Sequence, residues 1–141
     1  MKLAVATLTL FALAPLATVS AKEAEVRTAT DHKWEANPAV AGAESSVLWG
    51  DPKTGAYAAL RRVKAGTVLP RHTHSENQKV ISIAGTIALD IEGIGAKSVG
   101  AGSYVFIPKG LAHSAVCEAG ADCLYLEIQP GPADMKPAPA K

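Results

Sequence analysis

The chain has 141 residues, with 14 basic and 13 acidic side chains, four histidines and two cysteines. That length supports one domain with a modest core. A formal net charge of +1, with no basic patch or stripe, gives nucleic acid and anionic membrane surfaces no electrostatic hold and argues against both as partners.

Residues 1–21, MKLAVATLTLFALAPLATVSA, predict a secretory signal peptide. Lys2 supplies the positive start, Leu3 to Leu16 an uncharged apolar run, and Val19-Ser20-Ala21 the small residues a signal peptidase needs. The run is short for a transmembrane anchor and Pro15 interrupts it. The expected mature chain begins near Lys22, is periplasmic or secreted, and has no membrane attachment. Removing Lys2 with the leader leaves thirteen basic and thirteen acidic groups.

Residues 22–45 are polar, with Asn37-Pro38 and Gly42 as breakers, and read as an N-terminal arm with little regular structure. From Ser46 the pattern changes to short β-rich runs. SVLWG (46–50) is a strand and DPKTG (51–55) a turn. AYAALRRVKAG (56–66) is a strand with its turn, and TVLPRHTH (67–74) is extended. KVISIAGTIALDI (79–91), broken at Ala84-Gly85, predicts a hairpin. EGIGAKSVGAG (92–102) is a glycine-rich turn with one short edge strand, and SYVFIPKG (103–110) a strand stopped by Pro-Lys-Gly. HSAVCEAGADCLYLEIQP (113–130) predicts two strands around a glycine turn. The Pro-rich tail, 131–141, is expected to be disordered. Helical spacing is lacking throughout 22–141. Short strands separated by turns every 8–12 residues predict an all-β sandwich or small barrel over 46–130.

The chemistry centres on RHTHSENQK (71–79). Successive side chains of a strand alternate between faces, so His72 and His74 share one, and two imidazoles there can chelate one ion. An HxH pair alone is weak evidence. A third imidazole is offered by His113, which follows a tight Pro108-Lys109-Gly110 turn and starts a new strand.

These residues form two spaced motifs. The first is Gly66, five residues, His72-Thr73-His74, three residues, Gln78, six residues, Gly85. The second is Gly102, five residues, Pro108-Lys109-Gly110, two residues, His113, and sixteen residues separate the two. Together they resemble the two cupin motifs, over about 46–130. The chain is most similar to small exported bacterial cupins of the kind found in the anti-sigma factor ChrR. The resemblance implies a single-domain cupin barrel, a double-stranded β-helix or jelly roll. It also implies that His72, His74 and His113 converge inside the barrel on one divalent metal ion. Iron, manganese, nickel and zinc all suit imidazole, so the sequence does not name the metal.

Two departures from the family pattern matter. The usual fourth ligand is glutamate, and that position here is Gln78. Glu76 is a rival, since it shares the parity of His74 if the strand stays extended. The asparagine that often closes the second motif is Cys117 here. Three imidazoles and an amide leave a divalent charge uncompensated, which favours an anionic exogenous ligand. The resemblance then implies a dioxygenase-like enzyme acting on a small anionic or enolisable molecule. A metal- or ligand-binding sensor without turnover is the alternative. No acid or base beyond the ligands is evident, Glu127 and Glu76 being the carboxylates nearest apolar strands.

Cys117 and Cys123 flank EAGAD and are expected to form a disulfide, consistent with export. Val80 faces one side of its strand and Ile81 and Ile83 the other. A barrel wall needs one apolar face, so a homodimer is expected, unless the N-terminal arm covers the outer one. His32 reads as a surface histidine, and Trp34 and Trp49 as packing residues.

Overall fold

The computed structural model describes residues 24–140, so the expected signal peptide lies outside the described residues. The described chain is β1 (Glu35–Ala36), β2 (Ala43–Gly50), β3 (Tyr57–Val63), β4 (Val68–Thr73), β5 (Gln78–Ala84), β6 (Ile87–Ile91), β7 (Gly95–Val99), β8 (Tyr104–Ile107), β9 (His113–Cys117), β10 (Cys123–Gln129) and β11 (Lys136–Pro137). Two antiparallel sheets hold them, in the orders β1-β2-β3-β10-β5-β8 and β11-β4-β9-β6-β7. This is the jelly-roll barrel the sequence predicts.

Period-two alternation sets which side chains line the interior. In β6, Ile87, Leu89 and Ile91 are buried between half-buried neighbours. In β9, His113, Ala115 and Cys117 are buried in the same way. The two strands pair in register, Ile87 with Cys117, Leu89 with Ala115 and Ile91 with His113, so an apolar row runs from the disulfide up to an imidazole. From the facing sheet, β5 turns Gln78, Val80 and Ser82 inward.

The predicted hairpin at Ala84-Gly85 and the glycine turn between Cys117 and Cys123 are both corners instead. β5 pairs with β8 and β10, whereas β6 pairs with β7 and β9, so the chain changes sheets at Ala84-Gly85. It changes back between β9 and β10. Sequence shows that a strand ends but not which strand it next pairs with, and sequential pairing was the wrong choice at both places. The two corners pack on each other. Gly85 has φ +72°, and a Cβ there would lie 2.6 Å from the Asp122 carbonyl oxygen and 2.8 Å from Cys123 Cα. Glycine meets both demands at that position. The Cys117–Cys123 disulfide, with Cα atoms 5.9 Å apart, staples the end of β9 to the start of β10 and so joins the sheets. The loop it closes is short, and its entropic contribution is roughly 2 kcal/mol.

The termini also differ from expectation. The arm supplies β1, which pairs with β2, and buries Val40 in the core; β2 itself starts at Ala43, before Ser46. The Pro-rich tail is not left without structure. Lys136 and Pro137 pair with Thr73 and His72 of β4. Proline is tolerated because β11 is the outermost strand of its sheet, where a missing N–H breaks no ladder. The Asp134 carboxylate accepts hydrogen bonds from Ser75 N (2.8 Å) and Ser75 Oγ (2.5 Å), and Lys136 Nζ donates to Ser75 Oγ (2.6 Å). The local prolines suggested disorder, but these long-range polar contacts tie the segment down.

Trp34 lies under the Arg62 guanidinium, 4.3 Å from Cζ to ring centroid, and half-buried His32 meets Ser46 Oγ at 3.4 Å. Trp49 is half exposed rather than packed. Val105 and Ile107 face the interior, whereas Tyr104, Phe106, Ile81 and Ile83 form an exposed outer patch. β1 pairs at the opposite edge of the same sheet, so the arm does not cover that patch.

Candidate metal centre

His72 and His113 are direct cross-strand partners on β4 and β9, and His74 follows two residues after His72. A register shift between Leu69 and His72 accommodates Pro70 within β4. The second motif is tied to the first by Gly110 N donating to the His74 carbonyl oxygen at 2.8 Å, made with Gly110 at φ +77°, and by Lys109 N donating to Asn77 Oδ1 at 3.0 Å. The sequence therefore brings the three imidazoles together by two devices, alternation along one strand and a rigid turn entering its neighbour.

All three are buried, and their ligating atoms lie within 4.8 Å of one another. Ring centroids are 4.8 Å apart for His72–His74, 4.2 Å for His72–His113 and 5.2 Å for His74–His113. Each Nδ1 meets a backbone carbonyl: His72 that of Pro70 (2.7 Å), His113 that of Leu111 (3.0 Å) and His74 that of Asp134 (2.5 Å). A carbonyl only accepts, so each Nδ1 carries the proton and each Nε2 keeps its lone pair for the centre. Burial pushes His72 down to about 4, against the pull of the Pro70 carbonyl, and lowers His113 for the same leading reason. Both rings are neutral at pH 7, as metal ligands must be.

The donor set fits a divalent cation. His72 Nε2 and His74 Nε2 are 3.1 Å apart with no proton between them in these tautomers. Two lone pairs so close call for a positive charge, and the span suits two ligands about 2.1 Å from one ion. Gln78, buried at the start of β5, lines the same cavity from the facing sheet. Glu76 does not line it; its carboxyl group lies against Gly131, where a Cβ would come within 2.8 Å of Cδ.

The cavity has a volume of about 480 Å³ and mostly apolar walls, among them Leu69, Val80, Leu89 and Val105. That size suits a small molecule. Besides Gln78, the polar groups of the wall facing the histidines come from β3 and β10. Glu127 accepts hydrogen bonds from the Tyr57 hydroxyl, from Arg61 Nη2 (2.9 Å) and from Gln129 Nε2 (3.4 Å). Burial raises the Glu127 carboxyl, but the Arg61 charge and hydrogen bonds outweigh it and hold it below the usual carboxylate range. Burial and the Glu127 charge push the Tyr57 hydroxyl well above its ordinary value. Sequence reasoning flagged Glu127 alone and missed Tyr57, Arg61 and Gln129. A signal existed: polar residues at one parity in YAALRRV and LYLEIQ share an inward face. Their association required knowing that β3 and β10 pair.

The model of the ChrR cupin-like domain matches residues 22–130. The chain belongs to the ChrR cupin-like family. Its barrel is similar to the polyketide cyclase RemF from Streptomyces resistomycificus, with 22% identity over 84% of this chain and 89% of that one, at a TM-score of 0.69. It is also similar to a chain in the complex of Rhodobacter sphaeroides SigE with the anti-sigma ChrR, with 24% identity over 73% of this chain and 51% of that one, at 0.58. DMSP lyase DddQ from Ruegeria pomeroyi gives 20% identity over 72% and 57%, at 0.59. At these identities the likeness concerns the fold. No curated protein matches the sequence. Within this ChrR-like cupin, the three-histidine cluster is the candidate site.

Proposed function

We propose that this cupin is a mononuclear metalloenzyme that binds a small anionic or enolisable molecule at His72, His74 and His113 and reacts it with dioxygen, with Gln78 completing the protein shell. One observation carries the reading: three buried imidazoles, each bonded outward through Nδ1, turn their Nε2 lone pairs toward one another in a mostly apolar cavity. What a divalent ion supplies in such a shell is Lewis acidity toward an anionic oxygen or sulfur and, when the ion is iron, electrons for dioxygen. The protein leaves the charge of the site open. Gln78 is neutral, and the buried carboxylate of the facing wall, Glu127, is already neutralised by Arg61 at 2.9 Å. An anionic ligand is then the cheapest compensation in a low-dielectric cavity. That this barrel also serves a polyketide cyclase, a DMSP lyase and a predicted oxalate decarboxylase supports an enzyme.

Metal analysis of protein purified without added metal, followed by oxygen uptake with small diketones, thiols and phenols, tests the proposal. Metal-dependent uptake with one class supports it. A metal-loaded protein that binds these compounds without consuming oxygen favours the second reading, a ligand sensor, to which the match with the ChrR domain gives support.

The Cys117–Cys123 disulfide supports export to an oxidising compartment, periplasmic or extracellular. The exposed patch of Ile81, Ile83, Tyr104 and Phe106 beside edge strand β8 supports a homodimer formed through that face. Light scattering that shows a monomer at micromolar concentration would remove the dimer.

A further inference from the structure

The β3–β10 wall has an uneven distribution of hydrogen bonds. Glu127 Oε1 accepts from Tyr57, Arg61 Nη2 and Gln129 Nε2, whereas Oε2 receives one long contact, from Arg61 Nε at 3.3 Å. Gln129 is 1% exposed, and its Oε1 has no partner. The amide cannot be turned round to cure this, because its oxygen would then face the Glu127 carboxylate. Tyr57 commits its proton to Glu127. The donors of the cluster are therefore directed at Glu127, and what the cluster leaves unused is acceptor capacity on Gln129 and Glu127. Residues 57, 61, 127 and 129 line the same cavity as the histidines, and the Glu127 charge is close enough to act on His72.

An unpartnered buried carbonyl costs about 1–3 kcal/mol unless something donates to it. Ile128 pairs with Lys79, so the next inward residues, Gln129 and Gln78, are neighbours on β10 and β5, while Ala59 and Val80 flank Glu127 itself. The cavity thus sets two chemically distinct demands near each other: imidazoles that favour an anion through a bound cation, and a wall that asks for a hydrogen-bond donor.

We infer that Gln129, with Glu127 beside it, forms a second recognition subsite that selects a ligand carrying a hydroxyl group close to its metal-binding anionic group. This rests on the anion reading given under Proposed function. The subsite binds and orients and does not abstract the proton. Arg61 and Tyr57 keep the Glu127 carboxylate a weak base, and Gln129 is no base at all. Charge selects against an ammonium donor, because the Arg61 guanidinium stands within the cluster.

The test uses cobalt-loaded full-length protein and two matched probe series, unbranched ω-hydroxycarboxylates and alkyl carboxylates of equal heavy-atom number, followed by cobalt absorbance. One short hydroxylated length should bind about tenfold or more tighter than its alkyl match, with longer members losing the preference, because Gln129 is fixed beside Gln78. In Gln129→Met, which keeps the shape and removes the carbonyl, that preference should vanish while alkyl carboxylate affinity stays within about twofold. The length optimum is read on the unmodified protein, so it decides the matter even if the variant folds poorly. Carboxylates that bind with no hydroxyl preference at any length, or a preference that survives in Gln129→Met, overturn the subsite and leave the metal–anion reading standing. If neither series perturbs the cobalt spectrum, the anion reading itself fails, and the subsite with it.

Discussion

The cavity of this cupin has two polar walls, and they satisfy their polar groups in opposite ways. On the five-stranded sheet, His72, His74 and His113 hydrogen-bond outward to the carbonyls of Pro70, Asp134 and Leu111, leaving their inner nitrogens free. On the six-stranded sheet, Tyr57, Arg61 and Glu127 turn on one another and close an ion pair. Both walls bury several polar side chains among aliphatic ones, so burial alone does not separate a site from a scaffold. What separates them is the direction of the unused lone pairs. The first wall points three at one spot, and the second leaves one carbonyl and part of one carboxylate.

The contrast is broken most severely from the second wall. Arg61→Leu strands the Glu127 carboxylate in the core, and the fold should lose about 3–5 kcal/mol, read by urea unfolding of the metal-free protein. Losing any one of the three imidazoles of the first wall should cost far less, because each makes one backbone hydrogen bond and none belongs to a buried ion pair like Arg61–Glu127. An Arg61→Leu variant as stable as the parent would mean that the second wall is not the scaffold described.

A smaller effect sharpens the first wall. His74 takes its outward partner from Asp134, sixty residues away on the tail. Ending the chain after Ala133 removes that carbonyl and the Ser75 contacts. Metal affinity should fall about 10–100-fold, measured by competition with a chelating dye, with little change in far-ultraviolet circular dichroism. Unchanged affinity would show that the tail does not orient His74.

The smallest change concerns charge. Gln78→Glu adds one negative charge on β5, facing the histidines from the other sheet. Metal binding should stay or tighten, and binding of azide or acetylacetone to the cobalt form should weaken about tenfold, 1.4 kcal/mol. Equal anion affinities in the two proteins would end the charge argument and the main reason for preferring an enzyme to a sensor.

The two walls also differ in how far the sequence discloses them. His72 and His74 lie two residues apart, and His113 follows a turn whose Pro and Gly spacing is itself a signal, so the first wall is readable from local pattern. The second wall is assembled from Tyr57 with Gln129 and Arg61 with Tyr125, pairings that span about seventy residues of chain, and local pattern carries no register over that distance. The same limit explains the corners at Gly85 and between Cys117 and Cys123, which local pattern makes look like hairpins. It explains the tail too: its composition suggests disorder, whereas its hold comes from Thr73, His74 and Ser75.

The central claim is that three histidines hold one ion. Elemental analysis of the parent protein and of His72→Ala, His74→Ala and His113→Ala, all purified without added metal, tests it most directly. The account predicts about one divalent ion per chain in the parent and a sharp loss in every variant, with circular dichroism unchanged. Full occupancy in His113→Ala would contradict it.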